Sequence, residues 1–259
     1  GQGKIEGMKR HDDEKKGLIL GGTCELALCL APMLIAKEIV PVLTFRSEEG
    51  QRRIEEKLAP YAGHYETVRL DLNDTASIEA FFSRTSSSCD FLVDFAQSDY
   101  EAFIAGADES RIYSYFMENV AARAVFLKHV TRAMLGRRRG RLVYVSSSAA
   151  ERPAPGQGFY SAAKLASEAL YRNCGLEMAG KGITSVILRV GYVEAGRGRI
   201  FLETRPDAVN QVPIGRALKA GEVAETILFL LGPAAEGINA TVLTMDGGLC
   251  AGKSGLLKA

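Results

Sequence analysis

The chain has 259 residues, 47% hydrophobic and 24% charged, enough for one large domain with a sizeable core, and no linker-like change of composition divides it. With 32 basic residues against 31 acidic ones the net charge is +1, which excludes bulk attraction to nucleic acid or to an anionic membrane. The five cysteines, Cys24, Cys29, Cys89, Cys174 and Cys250, are odd in number and widely spread, with no CxxC pair, so they exclude a disulfide framework and a cysteine zinc site and fit a reducing cytoplasm.

Residues 1–16 are polar and charged and read as an N-terminal extension ahead of a single domain over 17–259. The first seven of them resemble an expression scar before Met8, and none forms the apolar segment of a signal peptide. Short β-rich apolar runs then alternate with longer amphipathic stretches. Strands are predicted over 17–21, 40–45, 65–70, 91–95, 141–146, 183–189 and 241–245. Helices are predicted over 25–38, 48–58, 75–83, 112–135, 160–179 and 221–231, with Ser47 and Asp74 as N-caps. This rhythm predicts a doubly wound α/β domain with a parallel seven-stranded sheet and helices on both faces. The longest apolar run, 26–36, is too short to span a bilayer and contains Pro32, so a cytoplasmic protein is expected. His11, His64 and His129 sit in unrelated contexts and read as surface residues.

Ligands of such sheets sit beyond the carboxyl ends of the strands, which directs attention to Gly21-Gly22-Thr23-Cys24-Glu25, where the first strand turns into a helix able to receive a pyrophosphate at its N-terminus. Arg46-Ser47 closes the second strand without an acidic residue; Arg46 suits the 2′-phosphate of NADPH, a solvated strand-end arginine being the plain alternative. In Gly158-Phe159-Tyr160-Ser161-Ala162-Ala163-Lys164, the tyrosine and lysine stand one helical turn apart. A nearby ammonium favours the phenolate and makes Tyr160 a usable proton donor for carbonyl reduction or alcohol oxidation, although the pair alone also fits two surface residues of an amphipathic helix.

With these motifs in place the chain resembles the short-chain dehydrogenase/reductase family, and within it the β-ketoacyl-[acyl carrier protein] reductases, from about Gly17 to Gly248. The resemblance implies a Rossmann-type fold and a catalytic tetrad of Asn119, Ser147, Tyr160 and Lys164, whose spacings of 28, 13 and 4 residues match the reductases without a gap. By that resemblance Tyr160 protonates the carbonyl oxygen, Ser147 holds it, Lys164 lowers the Tyr160 pKa and binds the nicotinamide ribose, and Asn119 anchors a proton-relay water near Lys164. The dinucleotide, NADPH, would be bound by Gly22, Thr23, Cys24, Arg46, Ser47, Asp71, Leu72, Ala96, Tyr160, Lys164 and Val193. The segment from Gly196 to Pro213 matches the family's mobile substrate lid, and Arg138 and Lys181 match positions that dock an acidic acyl carrier protein, a solvated basic turn being the alternative at Arg137-Arg138-Arg139. A homotetramer or homodimer is implied as well.

Two stretches depart from the family pattern. Leu26 and Leu28 replace glycines, which predicts crowding where backbone should approach the pyrophosphate and where the helix should pack on its strand. Asp94-Phe95-Ala96-Gln97 replaces Asn-Asn-Ala-Gly and puts a side chain beside the expected nicotinamide path. The retained tetrad favours an NADPH-dependent reductase of β-ketoacyl thioesters; the alternatives are an alcohol or sugar dehydrogenase and a nucleotide-sensing or scaffolding protein without catalysis.

Overall fold

The computed structural model describes residues 15–84 and 89–252. Seven parallel strands form one sheet in the order β3-β2-β1-β4-β5-β6-β7. They are β1 Lys15–Leu20, β2 Ile39–Phe45, β3 Glu66–Arg69, β4 Phe91–Asp94, β5 Gly140–Ser147, β6 Ile183–Val190 and β7 Thr241–Met245. The expected boundary at 16/17 moves, because Lys15 and Lys16 already pair with Ile39 and Val40 of β2; residues 1–14, with His11, lie outside the described residues.

Successive strand side chains go to opposite faces, and both faces are apolar because helices cover each. Ile19, Val143, Val145, Val186 and Leu188 pack under α1 (Glu25–Ile35) and α8 (Ala220–Leu231). Leu18, Leu20, Leu142 and Ile187 pack under α5 (Ala122–Arg137) and α6 (Gly158–Met178), against Phe126 and Tyr171. The remaining helices are α2 Glu48–Lys57, α3 Thr75–Arg84, α4 Glu109–Phe116 and α7 Gly196–Thr204. Ser47 and Asp74 act as the expected caps, Ser47 Oγ accepting from Gly50 N at 3.2 Å and Asp74 Oδ1 from Ala76 N at 2.9 Å.

Two departures from the sequence reading bear on the site. The single helix expected over 112–135 is α4 and α5 joined by a π-helical turn, Met117–Ala121, of the kind that often marks functional positions. That turn holds Asn119, whose exposure is 2%. The expected lid begins as a formed helix, α7. Among the described residues no helix is long and apolar enough to cross a membrane.

The strand order reverses between β1 and β4, and there the chain needs glycine for two separate reasons. Gly21 has φ +71, and a Cβ on it would lie 3.0 Å from Ala96 N. Gly22 is buried between strands, where a Cβ would meet Leu43 Cβ at 2.7 Å and Thr44 N at 2.9 Å. Because those neighbours are backbone and backbone-proximal atoms, Gly22→Ala is expected to cost about 1–3 kcal/mol of stability, measured by urea unfolding.

Candidate active site

At the reversal point a cleft of about 290 Å³ opens beyond the carboxyl ends of β1 to β4. Its walls are Thr23 and Cys24 after β1, Arg46 and Ser47 after β2, Asp71 and Leu72 after β3, and Ala96 after β4. These are seven of the expected dinucleotide residues, brought together from four loops. Gly22 is not among them; it serves strand packing, and Gly21 forms the floor instead. Leu26 and Leu28 do not line the cleft either: Leu28 is in the core with Ile19 and Leu43, and Leu26 packs against the same cluster. The predicted crowding is not seen in the cleft wall: Leu28 is buried in the helix–sheet interface and Leu26 packs, half-buried, against it. Cys24 caps α1 by accepting from Ala27 N at 3.4 Å, and burial pushes its thiol up to about 11. A nicotinamide dinucleotide fits these residues. The glycine floor, the helix N-terminus and the cationic end of β2 supply, in order, close approach, amide donors and a charge for a phosphate.

The Asp94-Phe95-Ala96-Gln97 departure has a structural reason. Asp94 is fully buried at the end of β4, and its Oδ2 accepts from Arg123 Nε and from Tyr171 OH, each at 2.8 Å. Its Oδ1 accepts from Ala96 N at 2.9 Å. Arg123, itself buried, donates further to the Asn119 and Ala96 carbonyls and to Ser167 Oγ. Burial is the largest single influence and opposes its charge, but Asp94 together with the Tyr144 and Tyr171 hydroxyls more than offsets it, so the guanidinium stays cationic. Gln97 turns its amide onto Tyr115 OH at 2.9 Å and remains at the cleft wall. The Asp94–Arg123 pair was missed in the sequence, although an Asp replacing Asn at a strand end and an Arg on an otherwise core-facing helix were its visible signals.

Asn119, Ser147, Tyr160 and Lys164 converge beside this network. Ser147 ends β5 and is the serine that borders the Tyr160 hydroxyl, whereas Ser146 is bonded to Glu168 at 2.6 Å and Ser148 is buried. Lys164 Nζ lies 5.8 Å from the Tyr160 ring centroid and 5.0 Å from that of Tyr144, and donates to the Val145 carbonyl at 2.9 Å. Asn119 is not directed at Lys164. Its side chain bonds Ser98 and the Tyr115 carbonyl, while its own carbonyl, where a relay water would attach, accepts from Arg123 and from Ser167 at 3.3 Å.

The expected electrostatics are also rearranged. Burial holds the Tyr160 phenol above its ordinary value, with Arg197 and the Ser147 hydroxyl pulling the other way, so the phenol keeps its proton at neutral pH. Arg197 of α7 is a second cation over Tyr160 besides Lys164, 5.7 Å from the ring centroid and paired with Asp99 at 3.0 Å. Lys164 is pushed down to about 7 by burial and by the like charge of Arg123, against the opposing pull of Asp94. It is therefore a weaker cation than the spacing alone implies. Nothing in the sequence pattern separates Arg197 from the other basic residues of the lid segment.

α7 is tied to the dinucleotide side through Glu25, which accepts from Gly196 N at 3.1 Å and pairs with Arg199. Val193 is buried and bridges Leu218 at the base of the same segment. Arg138 and Lys181 are exposed, at the amino ends of β5 and β6, and so lie at the opposite end of the sheet from Tyr160. Arg137 and Arg139, the neighbours of Arg138, both pair with the buried Asp90. His129 stacks on Phe82 and His64 is exposed; neither belongs to this cluster. Among the described residues no group of His, Cys, Asp or Glu is arranged to hold a metal.

A family model described as enoyl-(acyl carrier protein) reductase matches residues 26–250, and a solved short-chain dehydrogenase/reductase family protein superimposes with a TM-score of 0.82. The chain belongs to the short-chain dehydrogenase/reductase family. It is an oxidoreductase of that family. A 3-oxoacyl-[acyl-carrier-protein] reductase FabG of Salmonella typhimurium is 26% identical over 239 residues, covering 91% of this chain and 97% of that protein. The FabG of Escherichia coli matches to the same extent. An actinorhodin polyketide ketoreductase variant solved with NADPH has a TM-score of 0.85 at 26% identity, over 92% of this chain and 98% of that one.

Two measurements test the site's electrostatics. Removing Arg123 leaves Asp94 charged and buried, so Arg123→Met is expected to destabilise the fold by about 3–5 kcal/mol, with part of the loss recovered in the Asp94→Asn background, both read by denaturant unfolding. Lys164 titrates at about 7 when folded against an ordinary value of 10.5, so the folded chain binds fewer protons within that window and stability rises with pH across it. Lys164→Met should accordingly raise the melting temperature more at about pH 6 than at about pH 9.

Proposed function

We propose that this short-chain reductase reduces β-ketoacyl thioesters carried on an acyl carrier protein, with NADPH as the reductant. The observation that carries this reading is Tyr160: a half-buried phenol that keeps its proton, flanked by the Ser147 hydroxyl and by Arg197, in a molecule whose dinucleotide cleft holds Arg46 in its wall. A bound nicotinamide dinucleotide supplies the hydride. Ser147 donates a hydrogen bond to the substrate carbonyl oxygen and Tyr160 hands it a proton as negative charge develops there. Arg197 lowers the cost of the phenolate left behind, and Lys164, near its half-protonated point, is able to pass a proton back to Tyr160. Because Asn119 has its carbonyl engaged by Arg123 and Ser167, that resupply runs through Lys164 without an Asn119-bound water. A protonated resting phenol favours reduction over oxidation, which requires the phenolate at the start.

The acyl group is assigned to the side of Tyr160 lined by aromatic residues. Tyr100 stacks on Phe159 with ring centroids 5.1 Å apart, and Tyr192 stacks on Phe201 of α7 at 5.3 Å. Docking of the carrier at Arg138 and Lys181, and assembly as a homotetramer or homodimer, belong to the same proposal.

The experiment is turnover of acetoacetyl thioester, of an enoyl thioester and of simple ketones, each with NADPH and with NADH. Ketoacyl thioester reduction is expected to dominate; preference for simple ketones or sugars would assign an alcohol or sugar dehydrogenase, and failure to bind either nucleotide would leave a non-catalytic scaffold. Tyr160→Phe is expected to lower kcat at least ~100-fold while nucleotide affinity, followed by NADPH fluorescence, stays within about twofold.

A further inference from the structure

The cation assigned to a 2′-phosphate already has a partner. Arg46 Nη1 lies 3.0 Å from Glu118 Oε1, across the cleft from the end of β2 to the π-helical turn that carries Asn119, and both residues line the cleft. The two ends of the pair are not equally free. The Glu118 side chain is 16% exposed and its second oxygen accepts from Ser98 Oγ at 2.9 Å. Ser98 is itself held by Asn119, whose Nδ2 donates to Ser98 Oγ at 2.7 Å and whose Oδ1 accepts from Ser98 N at 3.0 Å. Arg46 is 63% exposed, and Glu118 is its only hydrogen-bond partner among the described residues. Glu118 is therefore the fixed carboxylate, and Arg46 the arm that reaches it.

From this arrangement we infer that Glu118 is a cofactor-selectivity residue that restrains Arg46 and moderates the preference for NADPH over NADH. The inference rests on the dinucleotide reading proposed above. A 2′-phosphate must displace Glu118 from the guanidinium, so it exchanges one anion for another and gains only the difference. It must also approach a fixed negative charge on the opposite wall. A 2′-hydroxyl is uncharged and leaves the pair standing. Removing the carboxylate's charge thus favours the phosphorylated dinucleotide alone, and the effect passes through Arg46.

The test is equilibrium binding of NADPH and NADH, by nucleotide fluorescence, to the wild-type chain and to Glu118→Gln, Glu118→Ala and Arg46→Ala variants. Glu118→Gln keeps an acceptor for Ser98. It is expected to tighten NADPH by about two- to fivefold, the range for a solvent-facing ion pair, with NADH unchanged. Glu118→Ala should move the ratio in the same direction, and the shift should vanish when Arg46→Ala is combined with Glu118→Gln. An unchanged NADPH-to-NADH ratio in both Glu118 variants, or an equal shift in the absence of Arg46, overturns the inference while leaving the reductase reading intact. If the wild-type chain binds neither nucleotide, the proposed function falls and this inference with it.

Discussion

The buried ion pair between Asp94 and Arg123 is the interaction on which the site depends. It stands where strand order reverses, so that the end of β4, the π-helical turn, α5 and α6 all meet on its hydrogen bonds. A buried charge pair in a parallel α/β core is costly to desolvate, and it persists here because every face of it is engaged: Asp94 accepts from Arg123, Tyr171 and Ala96, and Arg123 donates onward to two carbonyls and a serine. The geometry of those bonds, more than net stabilisation, is its contribution, since it sets where Ala96 and Asn119 sit relative to the cleft.

The same pair changes the chemistry next to it. Arg123 adds a positive charge beside Lys164, reinforcing the effect of burial so that the lysine loses protons more readily, and it donates to the Asn119 carbonyl. A further positive charge over the phenol comes from Arg197 of α7, which is fastened to the dinucleotide side by Glu25. The N-terminus of α1 and α7 are thereby joined through Glu25 and Arg199, while Glu118 holds Arg46 in the cleft.

Much of this molecule is legible in the linear chain. The seven strands follow from short β-rich apolar runs, because a sheet covered on both faces needs continuous apolar segments, and the caps at Ser47 and Asp74 are local features of the backbone. The choice of Ser147 over its two neighbours follows from counting back to Tyr160, and the alternation of β5 sends Ser146 to Glu168 and leaves Ser147 at the strand's end beside the phenol. Leu26 and Leu28 are where local reading misleads: a leucine in a glycine position signals crowding only if its side chain faces the ligand, and helix rotation decides that.

The linear chain is enough for the fold and for the candidate reacting residues, since strand periodicity, helix caps and the spacing of Asn119, Ser147, Tyr160 and Lys164 are properties of short stretches of chain. The charge environment of those residues arises only on folding. Arg123, Arg197, Glu25 and Glu118 are far from their partners along the chain, and Coulomb interaction and desolvation act through space, so the separations that set proton affinities exist only after folding.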